Sequence, residues 1–384
     1  QVRIRVQRPY VQDSILNLTV TRAKIRNSSV PYAGVLPDSI GYIRITQFIE
    51  DTGKDVRAAL DSFHAAPGLK GVIIDLRGNG GGLLEQAVDV ASNFVPKGTE
   101  IVRTIGRDKD ATKIYKTMRK PLYPDMPVAV LTDGGTASAS EILAGAMQDL
   151  DRGVLVGTRS FGKGLVQRPF PFPDGSMMRL TVAHYYTPSG RDIQKPYDKG
   201  NQSKYAHDIL DRLSSGELMH QDSIKYVDSL RVNTLRLKRP IYGGGGISPD
   251  VFVPLDTTDY TKYYRDVMAK GDINKYCIRY VDTHRDRIKK KYPDDTQFIA
   301  GFQVTDDMLN ELYAMAEKDG VKPNPKEAEQ SRKLFTTVLK GLIGRDIYDN
   351  PTYFKVYNQY DPIFKEAYRL INSPDYDKKL STPN

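Results

Sequence analysis

Short apolar runs and stretches of helical periodicity alternate along residues 43–156. The runs at residues 72–76 and 127–133 are typical of buried strands, whereas residues 55–63 and 85–95 repeat their apolar positions every three or four residues, as amphipathic helices do. Further strands are predicted at residues 101–105, 113–117 and 178–186. This alternation predicts an α/β fold in which helices pack against a sheet.

The segments on either side follow different patterns. Residues 2–9 and 16–25 are predicted to form two alternating strands, which are too few to make a stable domain by themselves. After residue 255 the apolar residues return to helical spacing, which predicts a mainly helical domain. Polar residues and a run of four glycines indicate an insertion at about residues 195–246. Three domains are therefore expected, at residues 1–30, 31–255 and 256–384.

A glycine-rich turn, D-L-R-G-N-G-G-G-L-L, follows the apolar run at residues 72–76. It joins a predicted strand to a predicted helix, so its backbone N–H groups are free to bind an anion. A dinucleotide-binding fingerprint is the obvious competitor, but the third glycine of G-x-G-x-x-G is missing and no Walker lysine follows. We interpret the turn as an oxyanion site in which Gly80 or Gly81 supplies one N–H donor. A purely structural turn is the alternative.

A second strand-to-helix turn places Ser138 at a predicted helix N-terminus. The strand at residues 127–133 leads into G-G-T-A-S-A-S-E-I-L, where helical periodicity begins. Unpaired N–H groups at such an end stabilise an oxyanion, and Ala139, next to the serine, is the predicted second donor. Ser138 and Glu141 also fit a capping box, and an isolated serine in that setting is more often a cap than a nucleophile.

Lys163 lies 25 residues after Ser138, in the sequence S-F-G-K-G-L-V-Q. A serine hydroxyl is a poor nucleophile at neutral pH unless a base takes its proton. A lysine serves as that base when burial or cationic neighbours lower the pKa of its amine from about 10.4. Gln167, four positions on, would project to the same side of an extended strand and orient the amine. An exposed loop lysine and a surface glutamine are the alternatives.

Composition excludes several other kinds of site. The net charge is +9, but 47 acidic residues are mixed with 56 basic ones, so nucleic-acid binding is not favoured. Cys277 is the only cysteine, which excludes an internal disulfide and a multi-cysteine metal site. The five histidines lack metal-ligand spacing, and neither a metal nor a cofactor is predicted. No segment predicts a membrane-spanning helix or an export signal.

Six sequence blocks occur in order: G-Y-I-R-I, D-L-R-G-N-G-G-G, T-A-S-A-S-E, G-K-G-L-V-Q, Y-T-P-S-G-R and G-I-S-P-D. Across about residues 15–255 the chain resembles the carboxyl-terminal processing peptidases, or tail-specific proteases, of serine peptidase family S41, in particular Bacteroidetes-type members with a helical C-terminal extension. The resemblance implies that Ser138 is the nucleophile, Lys163 the general base and Gln167 its partner. It also implies a core of stacked β-β-α units, as in ClpP and the crotonases, preceded by a PDZ domain whose remnant would be residues 1–30.

A serine endopeptidase is therefore expected, cleaving exposed carboxyl-terminal regions of proteins through an acyl-enzyme. By resemblance, its partners would be protein or peptide substrates with flexible apolar tails, with a second copy of the chain or an adaptor protein as further candidates. Its location would be a bacterial periplasm or cell envelope. A non-catalytic binding module on the same fold is one alternative, against which the intact Ser138, Lys163 and Gln167 argue. A crotonase-like acyl-CoA enzyme is another, but it leaves the glycine-flanked lysine unexplained.

Overall fold

Two compact units make up the chain, whose computed structural model describes residues 1–7, 15–23, 28–64, 68–197 and 202–381, with residues 202–206 described by their backbone alone. The sheet unit comprises Ser28–Leu255 with Pro362–Asn384, and the helical unit comprises Gln1–Asn27 with Asp256–Asp361. This division differs from the expected domains at both ends. Residues 362–384 group with the sheet unit, and residues 1–27 group with the helices.

The sheet unit is built on a six-stranded sheet in which five strands are parallel and one edge strand is antiparallel. From the antiparallel edge, the strands are β3 (Tyr32–Leu36), β4 (Ile40–Arg44), β5 (Gly71–Asp75), β8 (Val128–Thr132), β9 (Val154–Gly157) and β14 (Val251–Phe252). Helices α1 (Thr52–Phe63), α2 (Leu84–Ala91) and α3 (Ala139–Asp149) follow β4, β5 and β8. The predicted alternation of strands and helices is confirmed, although α2 ends at Ala91 rather than at residue 95.

A four-stranded antiparallel sheet belongs to the same unit. Across it run β10 (Leu165–Pro171), β11 (Met177–Tyr186), β6 (Glu100–Gly106) and β7 (Lys113–Lys116), which confirms the three further strands that the sequence predicts. The pairing of β10 with β11 contains a bulge between Val166 and Gln167. The predicted insertion contains α4 (Gln202–Ser214) and the strand pair β12 (Arg231–Asn233) and β13 (Pro240–Tyr242).

The last helices of the chain, α12 (Pro362–Ile371) and α13 (Asp375–Ser381), complete the sheet unit. The ring of Phe364 meets that of Tyr42 in β4 edge to face, with centroids 5.5 Å apart. The Tyr376 hydroxyl accepts from the N–H of Val128 at 2.9 Å and donates to the carbonyl oxygen of the same residue at 3.0 Å. Strand β8, which leads to Ser138, therefore depends on side chains from the end of the chain.

The helical unit confirms the helical character predicted after residue 255. It contains α5 (Lys262–Ala269), α6 (Asp272–Lys291), α7 (Asp295–Gly301), α8 (Asp306–Lys318), α9 (Pro325–Gln330), α10 (Arg332–Ile347) and α11 (Asn350–Asn358). The side chain of Asn324 caps α9, and Pro325 occupies the first helical position, where a missing N–H costs nothing. The predicted strand pair is present as β1 (Val2–Gln7) and β2 (Ile15–Val20), which are antiparallel. Their origin as a PDZ remnant stays a prediction.

Candidate active site

Ser138 lies between the end of β8 and the start of α3. Its φ of 58° and ψ of −119° fall in a region that residues other than glycine rarely adopt, so its backbone needs support from its surroundings. Part of that support comes from Asp133. One carboxylate oxygen of Asp133 accepts from the N–H of Gly135 at 2.9 Å and from the N–H of Gly78 at 2.8 Å. Asp133 thereby joins the serine turn to the glycine-rich turn.

Glu141 forms the predicted capping box with Ser138 and also binds the loop that carries Lys163. Its Oε2 accepts from the backbone N–H of Ser138 at 2.9 Å and from that of Lys163 at 2.8 Å. Its Oε1 accepts from the Gly162 N–H at 2.7 Å and from the Ser160 hydroxyl at 2.5 Å. Burial raises the pKa of Glu141, although these hydrogen bonds favour the ionised carboxylate and act in the opposite direction. One buried carboxylate thus holds the peptide N–H groups of both predicted catalytic residues.

Tyr185 links the same two residues through their carbonyl groups. Its side chain is buried in β11, and its hydroxyl lies 2.6 Å from the carbonyl oxygen of Lys163 and 3.0 Å from that of Ser138. The N–H of Tyr185 also donates to the carbonyl oxygen of Gly164 at 2.9 Å. Strand β11 therefore runs alongside the lysine loop and fixes its position relative to the start of α3.

The glycine-rich turn lies directly against Ser138. A Cβ on Gly81 would come within 2.7 Å of the Ser138 Cβ and 2.8 Å of the Ala139 nitrogen, so glycine is required there. The Gly81 N–H donates to the side-chain oxygen of Asn79 at 2.9 Å. The N–H groups of Gly80 and Ala139, by contrast, form no hydrogen bond with any residue that the structure describes. Both remain available to an oxyanion.

A buried cluster of charges supports this turn from the end of β5. Arg77 donates to both carboxylate oxygens of Asp75, at 2.9 and 2.6 Å, and the Tyr42 hydroxyl donates to one of them at 2.8 Å. Arg44 pairs with Asp75 at 2.5 Å and donates to the carbonyl oxygen of Arg77 at 2.6 Å. Burial alone would raise the pKa of Asp75, but the two guanidinium groups and the tyrosine outweigh it and hold that pKa well below its usual range.

The side chains of Lys163 and Gln167 are less constrained than their backbones. Lys163 is half-buried as a residue, and within the described ranges its amine forms no hydrogen bond with Ser138 or with any other residue. Gln167 is exposed and forms no hydrogen bond to Lys163 in that part of the chain. Its predicted placement relied on regular alternation, but β10 begins only at Leu165 and the bulge before Gln167 interrupts the alternation. The structure joins Ser138 to Lys163 through shared partners and does not join Gln167 to either.

Residues of the insertion also contact the loop that carries Lys163. The guanidinium of Arg212, in α4, donates to the carbonyl oxygens of Ser160 at 2.7 Å and of Phe161 at 3.2 Å. The Lys195 amine lies 3.8 Å from the centre of the Phe161 ring and pairs with Asp208 at 3.2 Å. Burial lowers the pKa of Lys195, and Asp208 acts in the opposite direction. The insertion therefore supports the segment that leads to Lys163.

Three residues of the site are not singled out by sequence reasoning. Asn79 and Asp133 lie beside the two glycine turns, and short polar side chains next to such turns are a signal for backbone hydrogen bonds. Tyr185 gives no comparable signal, because a tyrosine in an apolar strand is ordinary. Its role becomes visible only when β11 is placed beside the lysine loop.

Other chemistries find little support in the described residues. Among them, no group of three histidine, cysteine or carboxylate side chains could hold a metal ion, and no helix is long and apolar enough to cross a membrane. His184 pairs with Asp192 at 3.2 Å. Because side chains alternate along a strand, His184 points to the face of β11 opposite to Tyr185 and Ser138.

Comparisons with known proteins find a family match in both parts of the chain. Residues 39–200 match the model of peptidase family S41, and residues 263–349 match a family of unknown function (DUF8443). The S41 match contains the glycine-rich turn, Ser138, Lys163 and Tyr185. The second match covers most of the helical unit.

Two curated relatives agree with the first match. The carboxy-terminal-processing protease of Bartonella bacilliformis is 43% identical over 185 residues, which are 47% of this chain and 42% of that protein. The carboxy-terminal processing protease CtpB of Bacillus subtilis is 36% identical over 301 residues, 77% of this chain and 60% of that protein. A solved photosystem II D1 C-terminal processing protease is 28% identical, with 67% of this chain and 56% of that chain covered at a TM-score of 0.40. The chain spans about half the length of the curated relatives that it matches.

Proposed function

Since this chain belongs to peptidase family S41, we propose that it is a serine endopeptidase that cleaves peptide bonds in exposed carboxyl-terminal regions of proteins. One observation carries the proposal: a single oxygen of Glu141 accepts the backbone N–H groups of both Ser138 and Lys163. A nucleophile and its base must lie within hydrogen-bond reach of each other during the reaction. The shared carboxylate holds their backbones close to one another despite the 25 residues between them in sequence, which supports this pairing.

In the proposed mechanism, the neutral amine of Lys163 takes the proton of Ser138 as the hydroxyl attacks the scissile carbonyl. The N–H groups of Gly80 and Ala139 stabilise the oxyanion that forms, because the N–H of Gly81 already donates to Asn79. Lys163 then protonates the leaving amine. Water hydrolyses the acyl-enzyme by the same proton route. Gln167 remains the proposed partner of the lysine amine, on the resemblance to the family.

The substrates we propose are proteins with flexible, apolar carboxyl-terminal tails. A flexible tail can enter the site in extended form, which a folded segment cannot do. By analogy with the carboxy-terminal processing proteases that the chain resembles, we also propose a location in a bacterial periplasm or envelope. An adaptor protein or a second copy of the chain is the proposed further partner.

The decisive experiment compares Ser138→Ala with Ser62→Ala in the degradation of fluorescently labelled casein without added CoA. Ser62 is exposed at the end of α1, so its substitution controls for the loss of a serine hydroxyl far from the site. We expect no casein degradation by Ser138→Ala and normal degradation by Ser62→Ala. Degradation by both variants at the wild-type rate would contradict the proposed function.

A further inference from the structure

Tyr185 carries an inference that rests on the proposed function. We propose that Tyr185 is a positioning residue for the general base, because its hydroxyl fixes the peptide group of Lys163 relative to Ser138. A tyrosine hydroxyl has one hydrogen to donate, and its shorter contact, 2.6 Å, is to the carbonyl oxygen of Lys163. The carbonyl oxygen of Ser138, at 3.0 Å, already accepts from the N–H groups of Glu141 and Ile142. Tyr185 therefore acts mainly on the lysine.

The position of Lys163 makes such an anchor necessary. Glycines on both sides give the loop more backbone freedom than any other residues would, and Gly162 has a φ of 87°. The N–H of Lys163 is held by Glu141. The next peptide group is held at two points, because its carbonyl oxygen accepts from Tyr185 and its N–H, that of Gly164, donates to Gln194 at 2.9 Å. Loss of the tyrosine hydroxyl would remove one of these two anchors and deprive the partly buried carbonyl group of this donor.

A phenylalanine at position 185 would fill the same space, so a purely structural role predicts little effect of the hydroxyl on catalysis. A positioning role predicts a lower kcat with an unchanged KM, since the lysine acts in the chemical step and not in substrate binding. The two roles can therefore be separated by kinetics.

The experiment measures kcat and KM for Tyr185→Phe on a quenched fluorescent peptide with an apolar carboxyl-terminal segment. The value of kcat is expressed per serine that a fluorophosphonate probe can label, so that unfolded protein does not count. Tyr186→Phe is the matched control, because its hydroxyl forms no hydrogen bond with the described residues. A third variant carries 4-aminophenylalanine at position 185, which restores an N–H donor at the end of the ring.

We expect kcat per labelled serine to fall roughly tenfold or more in Tyr185→Phe, with KM within about twofold of wild type. The control should be unchanged, and 4-aminophenylalanine should restore at least half of the activity. The proposal is overturned if Tyr185→Phe turns over like the wild type, or if the amino variant restores nothing. Activity in Ser138→Ala would instead contradict the proposed function itself, so the two failures are distinguishable.

Discussion

Gly81 and Ser138 are packed so closely that a methyl group on the Gly81 Cα would lie 2.7 Å from the Ser138 Cβ. Gly81 also has a φ of 97°, which residues other than glycine rarely adopt. The adjacent Gly80 is different, because a Cβ there would meet nothing within 4 Å. This contrast makes the glycine-rich turn testable one residue at a time.

Gly81→Ala should lower kcat roughly hundredfold, because the new methyl group displaces the nucleophile by a substantial fraction of an ångström. Gly80→Ala keeps its backbone N–H and should stay within about threefold of wild type. Initial rates on labelled casein, with folding checked by circular dichroism, measure both effects. Equal activity of the two variants would mean that the contact between Gly81 and Ser138 has no bearing on catalysis.

Lys163→Arg should be as inactive as Lys163→Ala. A guanidinium keeps the positive charge but stays protonated in proteins, so it cannot accept the serine proton. We expect both variants to lose roughly 100-fold or more in kcat/KM, the contribution typical of a general base. Their thermal midpoints should change little, because the lysine side chain is half-buried and forms no ion pair within the described ranges. An active arginine variant would remove Lys163 from the mechanism.

Asp75 is expected to make stability depend on pH in the acidic range. Its pKa is lowered in the folded state, so its ionised form stabilises the fold above its unfolded pKa of about 3.9, and this contribution is lost as the pH falls further. Asp75→Asn should lower the free energy of unfolding at pH 7 by about 3 to 5 kcal/mol, because it removes the buried carboxylate that pairs with both Arg77 and Arg44.

Denaturant titrations of the wild type and of Asp75→Asn at several pH values between about 2 and 7 test this prediction. The stability difference between the two proteins should shrink as the pH decreases below about 4. A difference that is the same at all these pH values would show that Asp75 does not supply the acid dependence.

The sequence predicts those parts of the site that depend on local spacing. Ser138 and Glu141 are three residues apart, so their capping box can be predicted from the motif alone. The second role of Glu141 cannot, because it reaches Lys163 and Gly162 across more than 20 residues. Gln167 is a case in which local spacing misleads. Its predicted orientation requires a regular strand, and the pattern does not reveal the bulge between Val166 and Gln167.

The fold shows the same limit at its C-terminal end. Helical periodicity correctly predicts the helical character of the region that contains α12, but periodicity does not indicate what a helix packs against. The sequence therefore groups residues 362–384 with the helices before them, whereas the apolar side chains of α12 pack in the sheet unit. Contacts between distant residues show this grouping, such as that between Phe364 and Tyr42, more than 300 residues apart.

The hydrogen bonds between Tyr376 and Val128 constrain the order in which the protein can fold during translation. Strand β8 is synthesised about 250 residues before the tyrosine that binds both of its peptide groups at Val128. All of the helical unit after residue 255 is made in the interval. The sheet unit thus cannot reach its final packing until residue 376 has been synthesised, so a nascent chain that stops short of it lacks the hydrogen bonds between Tyr376 and β8. The fold of β8, and with it the setting of Ser138, is therefore completed by a helix made long after the strand itself.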